Sequence, residues 1–358
     1  MGYAYLGYPA LLRFLAWSFP LPPPRLSPDW QPSVSVVLAC AGETGLVESR
    51  VANALAQTHG ALEVILVMDG VPLGPDVRAR LGEHGDRVRV VQLASSVGKT
   101  EAQSRGVAGA RGEGLVCSDL SAAFEPGAVA ALVAPLADRE VSATSGELVY
   151  SGCAPETLYR RFECWLKRHE SVFSGALGAT GPIYAVRRSQ YVPLPPHALS
   201  DLVGPLVVGL FHGGRVHCVP EAVATEPLPS TPGALLGAKR RIAVRALSAL
   251  PTLMPCLDVV RRPRLALAFF SHKLLRWASW LMALMAVAGL LGMGLPGWLL
   301  GVALVVAVVG RVRPGCWPAD VAAYVMGMAI SQVGAVVDLI RGVRIAAWKP
   351  THRENIPP

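Results

Sequence analysis

Apolar and polar positions alternate along the first 120 residues with two periods. Short apolar runs end in loops: "VSVVLACAGE" (34–43), "EVILVMDG" (63–70), "RVRVVQLA" (87–94) and "GLVCSD" (114–119). Helical patterns separate the first pair ("GLVESRVANALAQ", 45–57) and the last pair ("TEAQSRGVAGAR", 100–111). Short buried strands alternating with helices predict an α/β fold with a mostly parallel, Rossmann-like sheet. Such sheets bind ligands at the carboxyl ends of their strands. An acid stands at three of those ends: Glu43, Asp69 and Asp119. Singly, each could be a helix cap or a loop residue; three in register point to a site.

From about Ser145 the pattern changes. "ETLYRRFECWLKRHESVF" (156–173) is a long amphipathic helix, and "GATGPIYAVRR" (178–188) is Gly-rich, then strand-like. Residues 199–226 read as a helix with an acid at its start, a Gly-Gly turn and a short strand. Residues 234–276 read as basic amphipathic helices suited to a membrane interface. No charge occurs from Trp277 to Gly310. That run is long enough for two short membrane helices at about 20 residues each, broken at Gly292, Gly294, Pro296 and Gly297. A buried hairpin in a soluble core is the other reading. Val321–Val337 is a weaker apolar run, and Tyr3–Phe19, apolar except for Arg13, reads as a short anchor or interfacial segment.

Composition sharpens this picture. Apolar residues make up 52% of the 358 and charged residues 16%, low for a soluble domain. The net charge of +8 is concentrated between Lys239 and Arg276, with Arg311 and Arg313 beyond the uncharged run. The positive-inside rule then predicts a cytoplasmic 31–275 region and an external turn near Pro296. The basic tail after a spanning 321–340 helix conflicts with that rule. Anionic headgroups are the expected partner of the basic cluster, and no nucleic-acid recognition motif accompanies it. The seven cysteines form no C-x-x-C pair, so no zinc site is implied. "VGKT" (97–100) imitates the tail of a phosphate-binding loop, but the required upstream glycine is Leu93.

The order of these segments resembles the membrane-bound family 2 glycosyltransferases, the group of cellulose, hyaluronan and exopolysaccharide synthases. "SVVLACAGE" is similar to their opening strand, "VMDGVP" to their aspartate-glycine turn and "GKTEAQSRGVAGARGE" to their lysine helix. "SDLSAAFEPGAV" stands where the family has D-x-D, "AKRRIAVRAL" where it has Q-x-x-R-W, and "SHKLLRW" leads into the membrane. The resemblance implies a glycosyltransferase-A domain over 31–233, after an N-terminal segment (1–24). Basic interfacial helices (234–275), transmembrane helices (276–345) and a tail (346–358) follow. It also implies roles. Glu43 and Asp69 would contact base and ribose, and Lys99 the phosphates. Asp119, with Ser121, would hold Mg2+ or Mn2+ at the diphosphate. Gly178, Thr180 and Gly181 would frame the acceptor site. Asp201 would be the catalytic base, and Arg240 and Arg241 would clamp the diphosphate.

The implied activity is an inverting transfer from a nucleotide-diphosphate sugar to a lipid-linked or polysaccharide acceptor at a bacterial inner membrane. Uridine-diphosphate sugars are favoured over guanosine-diphosphate sugars. Two acids of the family pattern are missing, at Ser121 and Ser200, and the Q-x-x-R-W segment lacks its Gln and Trp. An inactive scaffold or regulator of glycan assembly is therefore the alternative, and Asp201 as a mere N-cap is the alternative for the base.

Overall fold

The computed structural model describes residues 2–27, 29–42, 44–151, 155–227, 232–278, 281, 285, 289 and 317–343. An eight-stranded sheet organises the chain. Its strands are β1 (Val34–Cys40), β2 (Leu62–Asp69), β3 (Val88–Leu93), β4 (Gly114–Asp119), β5 (Ala123–Phe124), β6 (Val141–Ser151), β7 (Tyr184–Arg187) and β8 (Arg215–Pro227). They lie in the order β3-β2-β1-β4-β7-β6-β8-β5. The first four are parallel, as the apolar runs predict. Every residue of β1 is buried, which is what a central strand covered on both faces requires. β7 runs antiparallel to β4 and β6, and β6 pairs parallel with β8.

The helices are α1 (Tyr8–Ser18), α2 (Val47–Leu55), α3 (Pro75–Gly82), α4 (Lys99–Ala108), α5 (Ala128–Val133), α6 (Pro155–Phe173), α7 (Ser200–His212) and α8 (Pro232–Ser248). They continue with α9 (Leu250–Leu253), α10 (Pro263–Ala268), α11 (Leu275–Trp277) and α12 (Trp317–Ile340). A π-helical segment, Phe269–Leu274, joins α10 to α11. One apolar cluster, with Ile65, Leu115, Leu166 and Val207, fills the face of the sheet under α4, α6 and α7. The other, with Leu38, Val51, Leu66 and Leu132, lies under α2 and α5.

The N-terminal segment is a helix with two unlike stripes. Tyr8, Leu12 and Ala16 are buried against α6, where the Tyr8 hydroxyl donates to Glu170 Oε1 at 3.0 Å. Leu6, Phe14 and Trp17, the last 79% exposed, face outward.

The described part of the carboxyl-terminal third folds back on the sheet. The basic 234–275 segment does not present its charges to an outer interface alone. α8 folds over the carboxyl end of the sheet, so Lys239, Arg241, Arg245 and Lys273 line an interior cavity. No helix among the described residues is long and apolar enough to cross a membrane. Most of the uncharged 277–310 run lies outside the described residues, while the 321–337 run falls in α12, which packs along α8. Gly327 and Gly334 permit that approach. A Cβ at Gly327 would meet Leu236 Cδ2 at 2.7 Å, and one at Gly334 would meet Arg240 Nε at 3.1 Å.

Candidate functional site

The site forms where β2 and β4 end. Asp69 closes β2 and is 1% exposed. Its Oδ1 accepts from the Val97 N–H at 2.6 Å, and its Oδ2 accepts from the Gly98 N–H at 3.0 Å and the Ser96 hydroxyl at 2.9 Å. Gly98, at φ +90°, completes this turn and starts α4. Asp69 thus holds the loop that delivers Lys99. Glu43 lies outside the described residues.

Lys99 is the first residue of α4, and its Nζ lies 2.5 Å from Asp119 Oδ1 at the end of β4. Burial by itself would lower the Lys99 pKa, but the Asp119 and Asp201 carboxylates outweigh it and hold the ammonium charged. Asp119 Oδ1 is buried and accepts no aligned hydrogen bond, so a cation is its only close partner among the described residues. A carboxylate at a cavity wall, already paired with one cation, offers oxygen to a hard divalent ion. No three His, Cys, Asp or Glu side chains gather to hold an ion unaided among the described residues. Further ligand oxygens would have to come with the ligand.

Asp201 stands in the first turn of α7 and caps no backbone N–H, which removes the N-cap alternative. Pro205, four residues on, has no N–H to give the Asp201 carbonyl. The Ala179 N–H takes that carbonyl instead, at 2.7 Å. One proline thereby ties the 178–181 turn to the helix that carries the acid. Gly178, at φ +93°, makes the approach possible, since a Cβ there would lie 3.1 Å from Leu202 Cα. It supports the turn from behind and does not line the cavity. Gly181 does line it: a Cβ there would lie 2.7 Å from Asp201 Oδ2 and 3.4 Å from Lys99 Nζ.

Asp119, Lys99, Gly181 and Asp201 therefore share one cavity of about 380 Å³, lined also by Ser121 and Thr180. Thr180 Oγ1 accepts from Lys167 Nζ at 3.0 Å, and the Thr180 N–H donates to Ser145 Oγ at 2.9 Å. Arg245 locks α8 over the site, donating to Thr100 Oγ1 at 2.7 Å and to the Ala198 carbonyl. Arg241 lines the cavity as expected, but Arg240 does not. It turns outward and pairs with Asp338 on α12 at 2.6 and 2.7 Å. Its expected phosphate contact is corrected: at i and i+1 on a helix, the two arginines face different sides.

Several residues of the site are absent from the sequence reading. Lys167 and Arg276 line the cavity from α6 and α11, with Glu163 paired to Arg276 at 2.5 Å. Burial raises Glu163, but Arg276 and His272 outweigh it and hold the carboxyl well below its usual range. Glu226, at the end of β8, accepts a hydrogen bond from Ser121 Oγ at 2.5 Å and lines the same cavity. The i, i+4 spacing of Arg241 and Arg245 was a legible sign of a shared helix face. No local signal marks Lys167 or Glu226.

Residues 35–188 match the family described as Glycosyl transferase family 2. An N-acetylglucosaminyltransferase from Bradyrhizobium elkanii is 30% identical over 143 residues, which is 38% of this chain and 73% of that protein. The fold is similar to that of the mannosyltransferase PcManGT from Pyrobaculum calidifontis, solved with GDP-Man and Mn2+. The TM-score is 0.69 at 21% identity, over 94% of this chain and 96% of that one.

Proposed function

The chain belongs to glycosyl transferase family 2 and is a glycosyltransferase, and we propose that it moves a sugar, with inversion, from a nucleotide-diphosphate sugar to an acceptor hydroxyl at a membrane surface. The observation that carries this reading is the convergence of Asp201, Lys99 and Asp119 beside Gly181. A base, a cation and a metal-binding carboxylate there face one small open position.

In this mechanism the acceptor oxygen attacks the anomeric carbon while its proton passes to the Asp201 carboxylate. The bond from that carbon to the diphosphate oxygen breaks, and the diphosphate leaves with the electron pair. Lys99 and Arg241, both on the cavity wall, oppose the charge that builds on it. Asp119 and Ser121 would hold a bound Mg2+ or Mn2+, which offsets the diphosphate charge. Gly181 leaves room for the reacting groups, and the Pro205-dependent bond from Ala179 fixes the turn relative to the base.

Two features support a membrane-associated lipid or glycan acceptor. Leu6, in the π-helical turn Tyr3–Gly7, and Phe14 and Trp17 on α1 are exposed apolar side chains, and Val260 and Phe270 are exposed beyond α8. Exposed apolar side chains in helical register suit an interface with lipid. A uridine- or guanosine-diphosphate donor fits the cavity chemistry equally, because both present the same diphosphate.

Asp201→Asn tests the assignment. It preserves size and removes the base, so transfer should fall about 10²–10⁴-fold. Calorimetric titration with UDP and with GDP should show nucleotide affinity within a factor of about three of wild type. Transfer at a near wild-type rate would remove Asp201 from the mechanism.

A further inference from the structure

We propose that Glu226 supplies the second negative charge of the metal-binding edge, acting through Ser121 as a positioning residue. This rests on the reading of Asp119 as the metal carboxylate.

Topology brings the two residues together across 105 positions of sequence. β5 pairs antiparallel with the end of β8, with Ala123 opposite Thr225 and Phe124 opposite Ala224. Continuing that register backward from Ala123 carries the chain past Glu226. Asn53 on α2 fixes β5 in place, accepting from the Phe124 N–H at 2.8 Å and donating to the Phe124 carbonyl at 2.9 Å.

The chemistry follows from the hydrogen bond. Ser121 gives its one proton to Glu226 Oε1 at 2.5 Å, so both lone pairs of its oxygen remain acceptors. A serine held this way offers oxygen to a cation, with a full negative charge directly behind it. Partners of this outer kind orient a ligand and raise its basicity. Glu226 is 1% exposed, and a buried carboxylate needs compensation. Arg50 supplies it. It is 4% exposed, and Glu226 and Asp119 both attract it, against the burial that lowers its pKa to about 10. Its Nε and Nη2 have no hydrogen-bond partner. Two carboxylates, Asp119 and Glu226, thus stand against two cations, Lys99 and Arg50. A divalent ion arriving with a diphosphate diester is neutral as a unit, so the edge accepts it without an uncompensated charge.

The test is Mn2+ titration followed by electron paramagnetic resonance, alone and with UDP or GDP, on the full chain. Glu226→Gln should weaken Mn2+ binding about 10–100-fold. Ser121→Ala should weaken it comparably, and the double variant should lose little more than either, because both act through one bond. Ser121→Asp on the Glu226→Gln background returns the charge to the edge and should recover Mn2+ affinity to within about threefold of wild type. Unchanged Mn2+ affinity in Glu226→Gln, with only a loss of thermal stability, would make Glu226 a counter-ion for Arg50 and overturn the proposal. Additive losses, or failure of the Ser121→Asp rescue, would overturn it as well. Asp119→Asn separates the two readings. Full Mn2+ binding in that variant sinks the metal site itself. Loss there without loss in Glu226→Gln sinks only the role of Glu226.

Discussion

Lys167 sits in the middle of α6, 8% exposed, with its Nζ on Thr180 Oγ1 beside the proposed reaction centre. Burial and the nearby charges of Arg160 and Lys273 push its pKa down to about 8. In the unfolded chain a lysine titrates near 10.4. The folded pKa is therefore the lower one, and the folded state is penalised wherever the lysine is charged. The penalty is full below pH 8 and fades as pH rises from 8 towards 10. At about 1.4 kcal/mol per pH unit, the charge costs roughly 3 kcal/mol at pH 7. Between pH 7 and 9 that cost relaxes by roughly 1 kcal/mol. Lys167→Met keeps an apolar stem and removes the charge, at the loss of one hydrogen bond of about 1 kcal/mol. The variant should be more stable than wild type at pH 7 by about 2 kcal/mol, and its lead should shrink by roughly 1 kcal/mol by pH 9. Urea unfolding of both proteins at pH 7, 8 and 9 measures this directly. Transfer activity should fall in the same variant, because the cation lines the cavity. Parallel stability curves across that pH range, or a variant less stable at pH 7, would refute the reasoning.

Asp69→Asn should destabilise the chain by about 2 kcal/mol, because an amide NH2 would face donors from Ser96, Val97 and Gly98. Nucleotide affinity of the folded variant, read by calorimetry, should stay within about threefold. A large loss of affinity without a loss of stability would return Asp69 to the binding site. Arg240→Ala should leave transfer within about twofold, since an exposed pair with Asp338 contributes little. Arg241→Ala should lower transfer at least tenfold in the same assay, and the opposite ranking would reverse the two assignments.

The parallel half of the sheet was legible because its strands are unbroken apolar runs. β6 was not, because it reads as "VSATSGELVYS". Its Ser142, Thr144 and Ser145 are fully buried, each satisfied by a specific partner: the Arg215 and Leu132 carbonyls and the Thr180 N–H. Buried hydroxyls with tertiary partners erase the period on which strand reading depends. Asp119, Lys99, Asp201 and Gly181 could be singled out because their motifs are local, and the fold brings them to one cavity. The loop-building role of Asp69 was not legible, since its partners are backbone N–H groups and a serine 27 to 29 residues on. Glu226 and Lys167 come from residues far along the chain, and only the folded sheet brings them to Ser121 and Thr180.

The position of β8 carries a consequence for how the molecule is made. β5 and β6 are neighbours in the chain but not in the sheet, because β8 lies between them. Until residue 227 has left the ribosome, the place of β8 is an open slot flanked by two strands with unpaired backbone groups. The parallel strands β1 to β4 can assemble first, from local crossovers. The slot closes only by a long-range pairing, the slow kind of folding step. Open edges of that sort are where nascent chains pair with the wrong partner. A chain stopped between residues 188 and 215 would still contain all of the residues that match the family and lack the strand that fills the gap.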